Sequence, residues 1–255
     1  MTASRRPLMA NHNRCWIWGR NLVLETVRAA YWPVLEMLHS DRCEPQARDE
    51  VVSLAMQLGI PTHAVSDSQI TKSCRSEEHQ GLAARMPPFP YRRVDELIDG
   101  LPPNPVLVLL DRLHDPYNFG AIIRSADVLG IHGVIVGTRE QAAVNSLAAR
   151  SSVGAVNHVP IAETDDLITT VEMLQGRGFQ IIGTSDHADE LIFDPDYQRA
   201  TVLVIGNEGR GIQPALEQRC TQFVKIPVLG QVNSLNAAVS AGILFYEVLR
   251  QRRDD

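Results

Sequence analysis

Three stretches of this 255-residue chain place polar side chains directly behind apolar runs, where chemistry could be done. Asn118 and Arg124 lie in DPYNFGAIIRSA, after the run VLVLL that ends at Leu110. Asn207, Glu208 and Arg210 lie in GNEGRG, after TVLVI ending at Ile205. Asn233, Ser234 and Asn236 lie in GQVNSLNAA, after Phe223, Val224 and Ile226. Amides, a hydroxyl, a carboxylate and guanidiniums beside Gly-rich turns suit a small ligand held largely through backbone groups. The glycines Gly206, Gly209 and Gly211 are spaced GxxGxG rather than the GxGxxG of dinucleotide folds, and no lysine follows as in a phosphate-binding loop. Arg124 falls inside a helical pattern, where an arginine is ordinarily a solvated surface residue.

The elements that must position these residues alternate. Strands are expected at 106–110, 133–137, 157–161, 179–184, 201–205 and 222–226, and helices at 118–129, 141–150, 164–175 and 213–219. Asn118 is expected to cap the first of these helices, and a last helix starts near Ser234, with Asn233 and Ser234 where its cap is wanted and Ser234 and Asn236 as residues whose role is either to cap it or to serve the site. Its residues Ala237, Ala238, Ala241 and Gly242 keep its first turns thin, so another backbone can approach. Strand–helix alternation argues for a parallel sheet covered on both faces. Ligands in such sheets gather at the carboxyl ends of strands. The loops after Ile205, after Ile226 and at Gly183-Thr184-Ser185 all lie at such ends.

A smaller α/β unit precedes this one. Residues 1–14 read as a disordered tail, 15–86 as a compact domain, 87–105 as a Pro-rich linker, and 106–255 as the larger domain. Hydrophobic content of 44% and charged content of 21% suit a globular protein with a sizeable core. No apolar run of about 18 residues exists, so no membrane span is expected, and the N-terminus lacks the apolar core of a secretion signal. The four cysteines are isolated and read as reduced cytoplasmic thiols, with no metal site. The net charge of −6 is unevenly spread: residues 1–93 carry 12 Lys+Arg against 9 Asp+Glu, and residues 94–255 carry 12 against 21. A nucleic-acid contact would favour the N-terminal part.

The motifs NFGAIIRSA (118–126), LVIGNEGRGI (203–212) and IPVLGQVNSLNAAVSAGILFYE (226–247), in this order and spacing, resemble the SpoU (TrmH-like) branch of the SPOUT RNA methyltransferases. IWGRNLVLETVRAA and HQGLAA resemble the ribosomal-protein-like substrate-binding domain that precedes that fold in many members. The resemblance implies an α/β fold whose C-terminal parallel-sheet domain carries a deep trefoil knot, preceded by a small L30e-like α/β domain. It implies transfer of a methyl group from S-adenosylmethionine to a ribose 2′-hydroxyl of RNA, most often a guanosine of 23S ribosomal RNA. A tRNA 2′-O-methyltransferase and a non-catalytic RNA-binding homologue are the alternatives. The catalytic neighbourhood maps onto Arg124, Asn118, Glu208, Ser234 and Asn236. The cofactor site maps onto Thr184, Gly206, Asn207, Gly209, Ile226 and Leu235. Arg20, Arg28, Arg75 and Arg85 are candidate RNA contacts. Family members are homodimers whose site is completed across the interface, which is expected here too.

Overall fold

The structure is a computed structural model that describes residues 15–231 and 234–253. The expected N-terminal tail and the expected cap residue Asn233 lie outside the described residues. The chain forms two compact units, residues up to 90 together with 143–158, and residues 91–142 together with 159 onwards.

The first unit begins with β1 (Cys15–Trp18), α1 (Arg20–Ala29), β2 (Glu36–His39), α2 (Pro45–Gln57), β3 (Thr62–Ala64), α3 (Asp67–Cys74) and β4 (Leu82–Met86). Its sheet runs β1-β4-β2-β3, with β4 antiparallel to both neighbours and β2 parallel to β3. Ile17, Met37, Leu82 and Ala84 are fully buried in it, and α1 seals it with Leu22, Val23 and Val27. His79 is buried and structural. Its Nδ1 accepts from Gly81 N–H at 3.0 Å and its Nε2 lies 3.1 Å from Thr71 Oγ1. Gln80 Oε1 accepts from Arg20 N–H at 2.9 Å, satisfying a free amide at the start of α1.

The second unit opens with α4 (Val94–Asp99), β5 (Val106–Leu110), α5 (Pro116–Val128) and β6 (Gly133–Gly137). The chain then leaves it for the first unit. There α6 (Ser146–Ser151) and a 3-10 turn (Ala155–Asn157) pack on the substructure already described. Asn157 Nδ2 donates to Thr26 Oγ1 at 3.1 Å, and the Arg150 guanidinium lies 4.8 Å from the Trp18 ring centre. His158 Nε2 is 2.7 Å from Glu25 Oε1. The chain returns as β7 (Ile161–Thr164), α7 (Leu167–Gly176), β8 (Gln180–Thr184), β9 (Glu190–Leu191), β10 (Thr201–Ile205), α8 (Pro214–Glu217), β11 (Gln222–Lys225) and α9 (Ala237–Arg252). The sheet runs β7-β6-β5-β10-β8-β11-β9 and every pairing is parallel. Its two central strands, β5 and β10, are buried along their whole length, as parallel strands covered on both faces must be.

Several expectations change, and the helix expected at 141–150 begins only at Ser146. Residues 87–105 are not a linker: Leu97 and Ile98 of α4 enter the core of the second unit, and Arg92 exchanges backbone hydrogen bonds with Ile161 and Glu163. Residues 106–255 are not one domain, since 143–158 belong with the first unit. The strand expected at 157–161 begins only at Ile161, because the 3-10 turn occupies 155–157. The expected cap of α5 also shifts, and among the candidates for α9 it is Asn236 that caps. Asp115, not Asn118, caps α5 by accepting from Tyr117 N–H at 2.9 Å, with Pro116 following at a position that needs no donor. Asn236 caps α9, accepting from Ala238 and Val239 N–H at 2.9 and 3.3 Å.

Candidate functional site

A cavity of about 460 Å³ opens in the second unit at the carboxyl ends of β8, β10 and β11. Thr184 and its successors form one wall, the loop after β10 a second, and Lys225, Ile226 and Val228 a third. Ser234, Leu235 and Ala237, at the entry to α9, close it. All six expected cofactor residues therefore line one cavity: Thr184, Gly206, Asn207, Gly209, Ile226 and Leu235. Glu208 and Ser234 line it too.

The loop after β10 is a tight ring. Asn207 and Gly211 exchange both backbone hydrogen bonds, at 3.1 and 2.9 Å. Gly206 makes the closure possible: a Cβ there would lie 2.3 Å from the Gly211 carbonyl carbon and 2.4 Å from Ile212 N. Gly209 has no such need, its nearest neighbour being the flexible Asn207 side chain at 3.7 Å. The Asn207 side chain braces the ring. Its Oδ1 accepts from Gly209 and Arg210 N–H at 3.0 and 3.1 Å, and its Nδ2 donates to Arg112 O at 2.9 Å. Asn207 thus shapes the wall through its side chain, leaving one Nδ2 hydrogen and its backbone to offer a ligand.

Beside the cavity, Asn236 Nδ2 donates to Asn118 Oδ1 at 2.9 Å, and Asn118 Nδ2 donates to Glu208 Oε1 at 2.8 Å. Three expected catalytic residues, separated by 90 and 118 positions in sequence, are thereby joined in one chain of hydrogen bonds. Asn118 can do this because capping of α5 falls to Asp115, leaving its amide free. Ser234 is relieved of capping in the same way by Asn236. Arg124 stands apart. It is exposed on α5, absent from the cavity wall, and without an ion-pair partner among the described residues.

The four arginines expected to meet RNA do not form one free patch. Arg20 and Arg28 reach from α1 to Glu44 and Glu50 of α2 and its cap. Arg85 Nε lies 2.7 Å from Glu36 Oε1, off the line of a good hydrogen bond. Arg75 is exposed at the end of α3, with no ion pair among the described residues. Cys43 and Cys74 are buried and free, with thiols pushed up by burial, and burial raises Cys220 to about 12. Among the described residues no group of His, Cys, Asp and Glu could hold a metal ion, and no helix is long and apolar enough to cross a membrane.

The sequence reading missed Asp111. It sits at the carboxyl end of β5, fully buried, where its carboxylate accepts from Gln213 N–H at 2.7 Å. Its signal was its position, one residue past an apolar strand. The reading also missed His187 and Lys225, which line the cavity.

Comparison with known proteins bears directly on this geometry. The model of the SpoU rRNA Methylase family matches residues 105–246, and that of RNA 2′-O ribose methyltransferase substrate binding matches 16–92. An uncharacterized tRNA/rRNA methyltransferase of Mycobacterium avium is 36% identical over 253 residues, 98% of this chain and 81% of the relative. The SpoU methyltransferase AviRb from Streptomyces viridochromogenes, solved with AdoMet, superposes with a TM-score of 0.82 at 28% identity, over 97% of this chain and 94% of that one. An AdoMet-bound rRNA methyltransferase from Sinorhizobium meliloti gives 0.82 at 26% identity, over 96% and 90%.

Proposed function

This chain belongs to the SpoU rRNA methylase family, and from that premise we propose that it transfers a methyl group from S-adenosylmethionine to a ribose 2′-hydroxyl of RNA. The target we propose is a guanosine of 23S ribosomal RNA. The family and the AdoMet-bound neighbours support the cofactor and the reaction class. The substrate-binding match over 16–92 supports the 2′-hydroxyl, and the Sinorhizobium neighbour, an rRNA methyltransferase, supports ribosomal RNA.

The residues present fit the cofactor. The cavity is of ligand size, and Gly206 removes the one side chain that would break the ring forming its wall. Backbone groups in a closed ring are already ordered, so little entropy is lost on binding. S-adenosylmethionine, when bound, supplies an electrophilic methyl group.

The chain's own residues must orient the ribose and handle the hydroxyl proton. Asn118 holds the Glu208 carboxylate at the cavity wall, and Asn236 holds Asn118. Arg124 is not the base, because a guanidinium carries only N–H donors and no acceptor lone pair. Its role is to fix the ribose or its phosphate and to stabilise the charge developing on the oxygen. Since Arg124 lies outside the cavity wall, we read the active form as a cytoplasmic homodimer in which a second copy brings Arg124 to the site.

The observation that carries this reading is the Asn236–Asn118–Glu208 chain, which joins all three sequence motifs at the rim of one cavity. The test is incubation with labelled S-adenosylmethionine and ribosomal RNA or tRNA, followed by nuclease digestion to nucleosides. Label on 2′-O-methylguanosine from ribosomal RNA is expected. Label on a base would remove the 2′-hydroxyl, and label from tRNA alone would move the substrate. Arg124→Ala transferring label as fast as wild type would remove Arg124 from the chemistry.

A further inference from the structure

We infer that Asp111 is a positioning residue for the cofactor wall, clamping the 206–211 ring at both its entry and its exit. The inference rests on the cofactor reading just given.

The register puts Asp111 where this is possible. β5 and β10 pair in parallel with Leu110 opposite Ile205, and Asp111 N–H continues the ladder to Ile205 O at 2.9 Å. Asp111 therefore ends its strand level with the start of the ring. Its carboxylate is fully buried and accepts four hydrogen bonds. Gln213 supplies two, from its backbone N–H at 2.7 Å and its Nε2 at 3.0 Å. Arg112 supplies two, from Nε at 3.1 Å and Nη2 at 3.2 Å. A buried carboxylate is tolerated only when it is paired and hydrogen-bonded to this degree.

The next residue completes the clamp. Arg112 takes a left-handed conformation, φ 57°, which an L side chain adopts at a cost and only where its surroundings impose it. That turn aims the Arg112 carbonyl at Asn207 Nδ2, 2.9 Å away. The Arg112 guanidinium also reaches Gly211 O at 3.4 Å while bound to Asp111. Asp111 and Arg112 thus hold Asn207 where the ring begins, and Gly211 and Gln213 where it ends. Neither Asp111 nor Arg112 lines the cavity, whereas the ring they hold supplies one of its walls. Asp111 touches neither ligand nor reacting atoms, so its effect must appear in cofactor affinity before it appears in chemistry.

Asp111→Asn is nearly isosteric and turns one acceptor oxygen into a donor facing donors. The experiment uses the full chain, with S-adenosylhomocysteine titrated by calorimetry and amide hydrogen exchange followed across 207–213. Losing a charge-assisted hydrogen bond of this kind should weaken S-adenosylhomocysteine binding about tenfold. Exchange should rise at 207–213 and stay unchanged in the first unit, which a general loss of stability would not leave untouched. Unchanged affinity together with unchanged exchange overturns the proposal. If Asp111→Asn does not fold, Gln213→Ala removes only the Nε2 bond, and about a threefold weaker affinity with faster exchange at 207–213 is expected. No change in either measurement for Gln213→Ala overturns the proposal equally. Failure of the wild-type protein to bind S-adenosylhomocysteine would sink the cofactor reading instead, and the exchange comparison would still decide whether Asp111 clamps the ring.

Discussion

At Gly206 one added carbon atom would run into the Gly211–Ile212 peptide group, with Gly211 C at 2.3 Å, Ile212 N at 2.4 Å and Gly211 O at 2.6 Å. None of these can swing away as a side chain would. Gly206→Ala is therefore expected to open the ring and lower S-adenosylhomocysteine affinity more than tenfold by calorimetry. Gly209→Ala, where the nearest atom is 3.7 Å away, should bind within about threefold of wild type. Equal losses at the two positions would show that steric closure is not what the glycines provide. A second residue-level effect concerns pH. His79 and His132 have pKa values lowered chiefly by burial, and each accepts a backbone N–H through Nδ1, from Gly81 and Val106 respectively. Protonating Nδ1 would break that bond. The unfolded chain takes up these protons near the ordinary value of 6.5, whereas the folded chain resists until lower pH. Stability is thus complete above pH 6.5 and falls as pH drops through and below it, by at most about 1.4 kcal/mol per pH unit for each proton. Urea titrations at pH 7.5 and 5.5 should show this fall, and His79→Gln should remove part of it. A pH-independent midpoint would contradict the assignment. The sequence alone does not reveal that both His79 ring nitrogens are engaged.

The elements most legible in sequence were the buried strands. The expected bounds 106–110, 133–137 and 201–205 are those of β5, β6 and β10, since an uninterrupted β-branched and aliphatic run has few other ways to be buried. Helix starts were less legible. Asp115 caps α5 in place of Asn118 because Pro116 is suited to the first helical position, while at α9 several cap formers stood close together and Asn236, one of those considered, is the cap. The excursion of 143–158 was not legible at all. It depends on contacts of Asn157 and Arg150 with residues more than a hundred positions away, and no local pattern encodes these. That excursion makes a specific prediction. The chain's three tryptophans, Trp16, Trp18 and Trp32, all lie in the first unit. Tryptophan fluorescence therefore reports the unfolding of that unit. Asn157→Ala leaves the buried Thr26 hydroxyl without its donor and should destabilise the fluorescence-detected transition by about 1 kcal/mol. Arg150→Ala should cost about 0.5–1 kcal/mol through the lost ring contact. Urea midpoints identical to wild type for both variants would mean that 143–158 does not support the first unit.

At the scale of the whole molecule the role proposed for Arg124 requires a route from α5 to the cavity. Within one chain it is exposed on α5, outside the cavity that holds Glu208. The helices α5 and α9 together present a shallow groove of small and apolar residues, among them Ala121, Gly242, Val239 and Tyr246. Val239 and Tyr246 are about half exposed, at 49% and 59%. A second copy laid on this face by a two-fold axis would bury them and carry its own Arg124 along with α5. The homodimer proposed for the active form then makes a prediction that a monomeric site cannot. Arg124→Ala and Glu208→Ala are each expected to be nearly inactive alone, with transfer of labelled methyl reduced at least ~100-fold. Mixed and allowed to exchange subunits, half the dimers become heterodimers. Each of these holds one site built from an intact Glu208 of one copy and an intact Arg124 of the other. Activity should therefore recover to roughly a quarter of wild type. Mixing that restores nothing, while sedimentation shows exchanged dimers, would mean that Arg124 serves the cavity of its own chain. Tyr246→Glu, which puts a charge into the same face, should dissociate the dimer and lower transfer with it. A Tyr246→Glu monomer with full activity would remove the second copy from the site altogether.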